Sequence, residues 1–165
     1  NILALDSSQI SSWLSCPRKW QLGYEENLTP VEENRAFSRG SLVHKLLEIY
    51  YQQRKLGNHD SAIVIALAST RKWLEGHPSE SITMEEWSFI SRRFLSYVSF
   101  HNDNFKVIDT EVGFSVPILE TQESFFVLEG RVDLILEIDG LIYWIDHKSQ
   151  MRESTHYKFN PQALD

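Results

Sequence analysis

The chain has 165 residues, 42% of them hydrophobic and 24% charged, which suits one domain with a single sizeable core. No apolar run approaches the roughly 20 residues of a membrane span, no secretory signal pattern is read, and the lone Cys16 excludes an internal disulfide and fits a reducing, cytoplasmic setting. A net charge of −7 argues against a dedicated nucleic-acid coat but leaves room for an enzyme with basic residues along one groove.

The first half reads as helices. Ser7 or Ser8 caps "SQISSWLSC", and Pro17 suits the first turn of "PRKWQLGY", where its missing N–H costs nothing. "LTPVEENRAFSRG" is polar and reads as a loop. A helix then opens near Ser41 in "SLVHKLLEIYYQQRKLG" and closes near Gly57, and "DSAIVIALASTRKWLEGH" forms another, stopped by Gly76 and Pro78. Thr83 and Glu86 make a capping box ahead of "WSFISRRFLSYVSF". Basic clusters such as Arg18/Lys19 and Arg92/Arg93 read first as solvated helix faces, and Trp13, Trp20, Tyr50, Tyr51, Trp73 and Trp87 as core or edge packing.

After Asn104 the texture becomes β-branched and aromatic. "FKVIDTEVGFSVPI" is a strand expected to break or bulge near Gly113, "TQES" is a turn, and "FFVLEGRVDLILEI" and "LIYWID" are the strongest strands. "MREST" reads as a loop before a last element near Pro161. The absence of an initiator Met and the close on "FNPQALD" suggest a trimmed fragment, a single domain over 1–165 truncated at its C-terminus. Helices followed by antiparallel strands indicate an α+β fold with a mixed sheet.

Asp139-Gly140 is a two-residue hairpin signal, because both central positions of a type I′ turn take positive φ. That turn sets Ile138 against Leu141, Leu136 against Tyr143 and Asp133 against Asp146. The two carboxylates then face each other across the strands, with Cβ atoms about 5 Å apart. Val132, Leu134, Leu136 and Ile138 share a core face with Leu141, Tyr143 and Ile145. The opposite face, expected to be partly covered, carries Asp133 and Ile135 beside Ile142, Trp144, Asp146 and Lys148. Facing carboxylates repel unless a cation or proton lies between them, and hard oxygen donors suit Mg²⁺ or Mn²⁺ better than Zn²⁺. A lysine beside that pair completes a set able to hydrolyse a phosphodiester.

These residues resemble a known signature. Asp133 followed by Asp146-His147-Lys148, within "GRVDLILEIDGLIYWIDHKS", resembles the PD-(D/E)XK nuclease superfamily, and in particular its RecB-type, CRISPR-associated exonuclease-like branch. "SSQISSWLSCPRKWQLGY" and "RGSLVHKLLE" are similar to two upstream helices of that branch, so the likeness runs over residues 8–162. The resemblance implies a restriction-endonuclease-like core, with a central mixed sheet, an antiparallel catalytic hairpin and flanking helices. It implies His44, Asp133, Asp146 and the carbonyl of His147 as metal ligands, and Asp133, Asp146 and Lys148 as the catalytic set. Lys148 would position or activate the attacking water, and Gln162 would open a helix that contacts DNA. Glu111 is either an outer ligand or an exposed strand carboxylate.

The implied function is a Mg²⁺- or Mn²⁺-dependent deoxyribonuclease, an exonuclease or DNA-end processor in recombination, repair or defence. The competing function is an inactive nuclease fold that binds DNA or a protein. Some relatives of the branch hold an iron–sulfur cluster through four cysteines, which Cys16 alone cannot do. Relatives are often fused to helicase domains, and a helicase-type domain or protein partner is expected of the full-length protein. No nucleotide-binding Gly-rich loop occurs here.

Overall fold

The computed structural model describes residues 2–28, 35–76, 82–101 and 105–148. It opens on a short strand, β1 (Ile2–Leu5), absent from the sequence reading. Asp6 then caps α1 (Ser7–Ser15), its carboxylate accepting the Gln9 amide at 2.7 Å. The cap expected at Ser7 or Ser8 therefore lies one position earlier, where a carboxylate also complements the positive end of the helix. Pro17 stands in the first turn of α2 (Pro17–Trp20), which widens into a π-helical turn over Gln21–Glu25.

Helix α3 (Arg35–Lys55) begins well before Ser41, so part of the expected loop is helical. Gly40 inside a helix costs about 1 kcal/mol against alanine. Tertiary contact offsets that cost: the Arg39 guanidinium pairs with Glu86 on a later helix. The far end closes as expected, with Gly57 at φ 82° donating its N–H to the Arg54 carbonyl. Helices α4 (Ala62–Glu75) and α5 (Met84–Phe100) follow. At the start of α5 the Glu86 amide donates to the Thr83 hydroxyl at 3.2 Å, and the Thr83 amide donates to the Glu86 carboxylate at 2.8 Å.

Glu86 thus ties its own cap to α3. The Thr83 backbone N–H and the Arg39 guanidinium hold its carboxyl down, from 4.5 to about 2. A carboxyl whose pKa is lower folded than unfolded contributes stability above the unfolded value and loses it as pH falls through the folded one. Thermal melts from pH 4.5 down to about 2 should therefore show Tm falling more steeply for wild type than for Glu86→Gln. Parallel curves across that window would show that Glu86 does not contribute to the acid response.

Among the described residues the strands form a mixed four-stranded sheet. β3 (Phe125–Ile138) is its centre and pairs antiparallel along its length with β2 (Lys106–Glu120). The connecting turn is closed by the Thr121 amide on the Ser124 carbonyl at 2.8 Å. On the other side of β3, β1 pairs in parallel from Phe125 to Leu128, and β4 (Leu141–Ile145) pairs antiparallel from Leu134 to Ile138. β2 runs unbroken through Gly113. Its irregularities lie instead between Val107 and Asp109 and between Pro117 and Leu119.

The core lies where α3 crosses the sheet. Leu42, Leu46, Leu47, Tyr50 and Tyr51 recur at helical spacing and are buried against Val107, Leu134 and Leu136, with Ala62, Ala66, Ile90 and Phe94 of α4 and α5 beyond them. The β3–β4 turn is as expected: Asp139 and Gly140 sit at φ 51° and 80°, and Ile138–Leu141, Leu136–Tyr143 and Leu134–Ile145 are the pairs. The hairpin tip, however, reaches past the helices. Ile138, Leu141 and Tyr143 are exposed on the intended core face, as are Ile142 and Trp144 on the face expected to be covered. The pleat decides which face a side chain takes, but covering that face needs a second element.

Candidate active site

Between Leu128, where β1 leaves β3, and Leu134, where β4 joins it, that side of β3 has no strand partner among the described residues. Asp133 stands at the end of this gap. Its Oδ2 accepts the backbone N–H of His147 at 2.6 Å, a short charge-assisted bond. The same oxygen lies 3.4 Å from His44 Nδ1 and 3.7 Å from His147 Nδ1, and the side chain is only 12% exposed. A carboxylate this enclosed depends on such neighbours to offset its lost hydration.

His44 reaches Asp133 from α3. It shares a row with Leu47 and Tyr51, so packing of the core residues also aims the imidazole at the sheet. The structure thus brings His44 next to Asp133, the two residues that the family resemblance assigned to one metal site.

Glu111 enters from the opposite neighbour. Thr110 pairs with Leu134 and Val112 with Val132, which sets Glu111 across from Asp133. Its φ of 53° is left-handed, a conformation costing roughly 1–2 kcal/mol for a residue with a side chain. Arg131 holds the Glu111 carboxylate at 3.2 Å. One ligand atom each from His44, Glu111 and Asp133 lie within 4.8 Å of one another. Two carboxylate oxygens and an imidazole nitrogen suit a divalent cation, and such a cation would relieve the repulsion between the carboxylates. Backbone strain at this position thus coincides with the one potential metal-binding cluster found among the described residues.

Glu111 is the residue that sequence reasoning left undecided. Its place opposite Asp133 follows from the β2–β3 register, which passes a longer turn and the irregularity between Pro117 and Leu119 before reaching it. No motif in "TEVGF" carries that information.

The other expected site residues lie just past the strand. β4 stops at Ile145, so Asp146 is one residue beyond the ladder rather than paired with Asp133 within it. Lys148 Nζ contacts both carboxylate oxygens of Asp146, at 3.0 and 2.9 Å, and both side chains are exposed. His147 turns inward. Its ring lies nearly parallel to Tyr51 and edge-on to His44, and its Nε2 is 3.4 Å from the Tyr97 hydroxyl. Burial pushes His147 below the ordinary histidine range and favours the neutral ring, while the Asp133 charge opposes that shift. Gln162 lies outside the described residues.

A profile of the PD-(D/E)XK nuclease superfamily matches residues 5–164, and the chain belongs to that superfamily. Its mixed sheet and helices are consistent with the restriction-endonuclease-like fold. Proteins of the superfamily are in general nucleases, hydrolases that typically use divalent metals. No curated protein matches the chain. Among the described residues, no helix is long and apolar enough to cross a membrane.

Proposed function

We propose that the protein is a metal-dependent deoxyribonuclease of the RecB-type branch, hydrolysing phosphodiesters at DNA ends. The observation that carries the reading is the convergence of His44, Glu111 and Asp133 from three elements onto one space, beside the segment that bears Asp146 and Lys148. Mg²⁺ or Mn²⁺ fits this donor set, and when bound it supplies Lewis-acid polarisation of a phosphoryl oxygen and activation of water. Asp133 and Glu111 provide the fixed negative charge, His44 the nitrogen, and Asp146 with the His147 carbonyl the further ligands. Lys148 orients the attacking water and stabilises charge developing on the phosphorane oxygens. Gln162 opens a segment that contacts DNA near the site. The protein acts inside the cell, as an exonuclease in recombination, repair or defence, alongside a helicase-type domain or partner.

The second reading is a nuclease fold retained for binding alone. One feature favours it: Lys148 and Asp146 neutralise each other on the exposed side. Labelled single- and double-stranded DNA, incubated with protein and Mn²⁺ and then with chelator, separates the two. Cleavage abolished by chelator supports the nuclease. DNA retention without cleavage in Mn²⁺ supports the binding module.

A further inference from the structure

The sheet does not hold the residues it most needs to hold. Ladder pairing between β3 and β4 ends at Leu134 and Ile145, so Asp146, His147 and Lys148 leave the sheet without a strand partner among the described residues. Two contacts replace the ladder. One is the His147 amide on Asp133 Oδ2. The other is the His147 ring, whose side chain is only 10% exposed.

That ring is gripped from two helices. The Tyr51 ring of α3 lies 5.9 Å from it, centroid to centroid, and at 20°. Tyr97 of α5 brings its hydroxyl to 3.4 Å from Nε2, with its ring at 77° to the imidazole. The two tyrosine hydroxyls are themselves 2.7 Å apart, and Tyr51 is buried. Two helices and one strand end therefore meet at a side chain flanked by Asp146 and Lys148.

We propose that His147 is a positioning residue: its ring, clasped between the stacked Tyr51 ring and the Tyr97 hydroxyl, fixes residues 146–148 against Asp133. The proposal rests on the nuclease reading for its consequence, but the latch itself is a property of the free protein. Loss of the clasp leaves every acidic ligand and Lys148 in the chain and lets them move relative to His44 and Glu111. A misplacement of about 1 Å costs on the order of 10²-fold in rate.

The test uses Tyr97→Phe, His147→Val, their double variant and His147→Gln, with two readouts. The first is amide exchange in metal-free, isotopically labelled protein. The His147 amide should exchange slowly in wild type and on the order of tenfold faster in Tyr97→Phe, since the shared open state becomes more populated. The second is DNA cleavage with Mn²⁺. kcat should fall about 10- to 100-fold in each single variant with KM within about twofold. The double variant should be no worse than either single, because residues acting as one unit are not additive. His147→Gln, which keeps a hydrogen-bonding side chain, should recover part of the loss. Unchanged amide protection in Tyr97→Phe overturns the proposal, as does a loss of Tm with kcat intact, or effects that multiply in the double variant. If wild type cleaves no DNA under any metal, the nuclease reading falls, and amide exchange alone decides the latch.

Discussion

Asp133→Asn should reduce Mn²⁺-dependent DNA cleavage by about 10³-fold, the upper range for losing one fixed electrostatic group. The fold should persist. Asparagine still offers an oxygen to the His147 amide, so the bond that holds the strand end is weakened rather than removed. The substitution also removes one of two like charges that face each other across β2 and β3. In the absence of metal, Tm should therefore stay level or rise. With Mn²⁺ the order reverses. A ligand that binds only the native state stabilises wild type by about 2.7 kcal/mol at a hundredfold excess over Kd, and the variant should show little of that gain. Melts with and without Mn²⁺ read both effects from one sample. An undiminished metal shift in Asp133→Asn would mean that the ion binds elsewhere.

Lys148→Ala separates binding from catalysis. Lys148 and its partner Asp146 are both exposed, so its removal should change stability by no more than about 0.5 kcal/mol. All acidic ligands remain and one positive charge disappears, so Mn²⁺ should still raise Tm as it does in wild type. Cleavage should nevertheless fall by about 10²–10⁴-fold, the range for a positioned acid–base or electrostatic group. Asp146→Asn should behave otherwise, losing metal shift and cleavage together as expected of a ligand. Equal metal shifts in wild type and both variants, with cleavage intact, would remove residues 146–148 from the site.

What was legible in the sequence follows from which contacts are local. The Asp139-Gly140 turn is two residues long, and a turn of that length dictates register; Ile138–Leu141, Leu136–Tyr143 and Leu134–Ile145 pair accordingly. The capping box at Thr83 and Glu86 is local too, and is present. On its way to Glu111 the β2–β3 register passes a longer turn and the irregularity at Pro117–Leu119, so the confrontation of Glu111 with Asp133 could not be read, nor could the left-handed backbone there. β1 was missed because its few residues gain strand character only by pairing with Phe125 and its successors, far along the chain. The early part of α3 is tied down by Arg39 on Glu86, a contact between two helices. His44 and Asp133 were singled out because family motifs mark them, and α3 and β3 bring the two side chains together. The inward turn of His147 carries no such mark, since its reason lies in Tyr51, which reads as ordinary packing, and in Tyr97, which no motif singles out.

Helix α3 carries both His44 and Tyr51, two turns apart on one row, so it acts as a ruler between the His44–Glu111–Asp133 cluster and the clasp on His147. Each residue added to an α-helix rotates everything beyond it by about 100°. One amino acid inserted between His44 and Tyr51 would thus turn either the imidazole away from Asp133 or the phenol away from His147, whichever end the core released. The interval tolerates substitution but not change of length. Residues added beyond Lys55, by contrast, would leave both distances as they are, and loop variation in this fold should concentrate there.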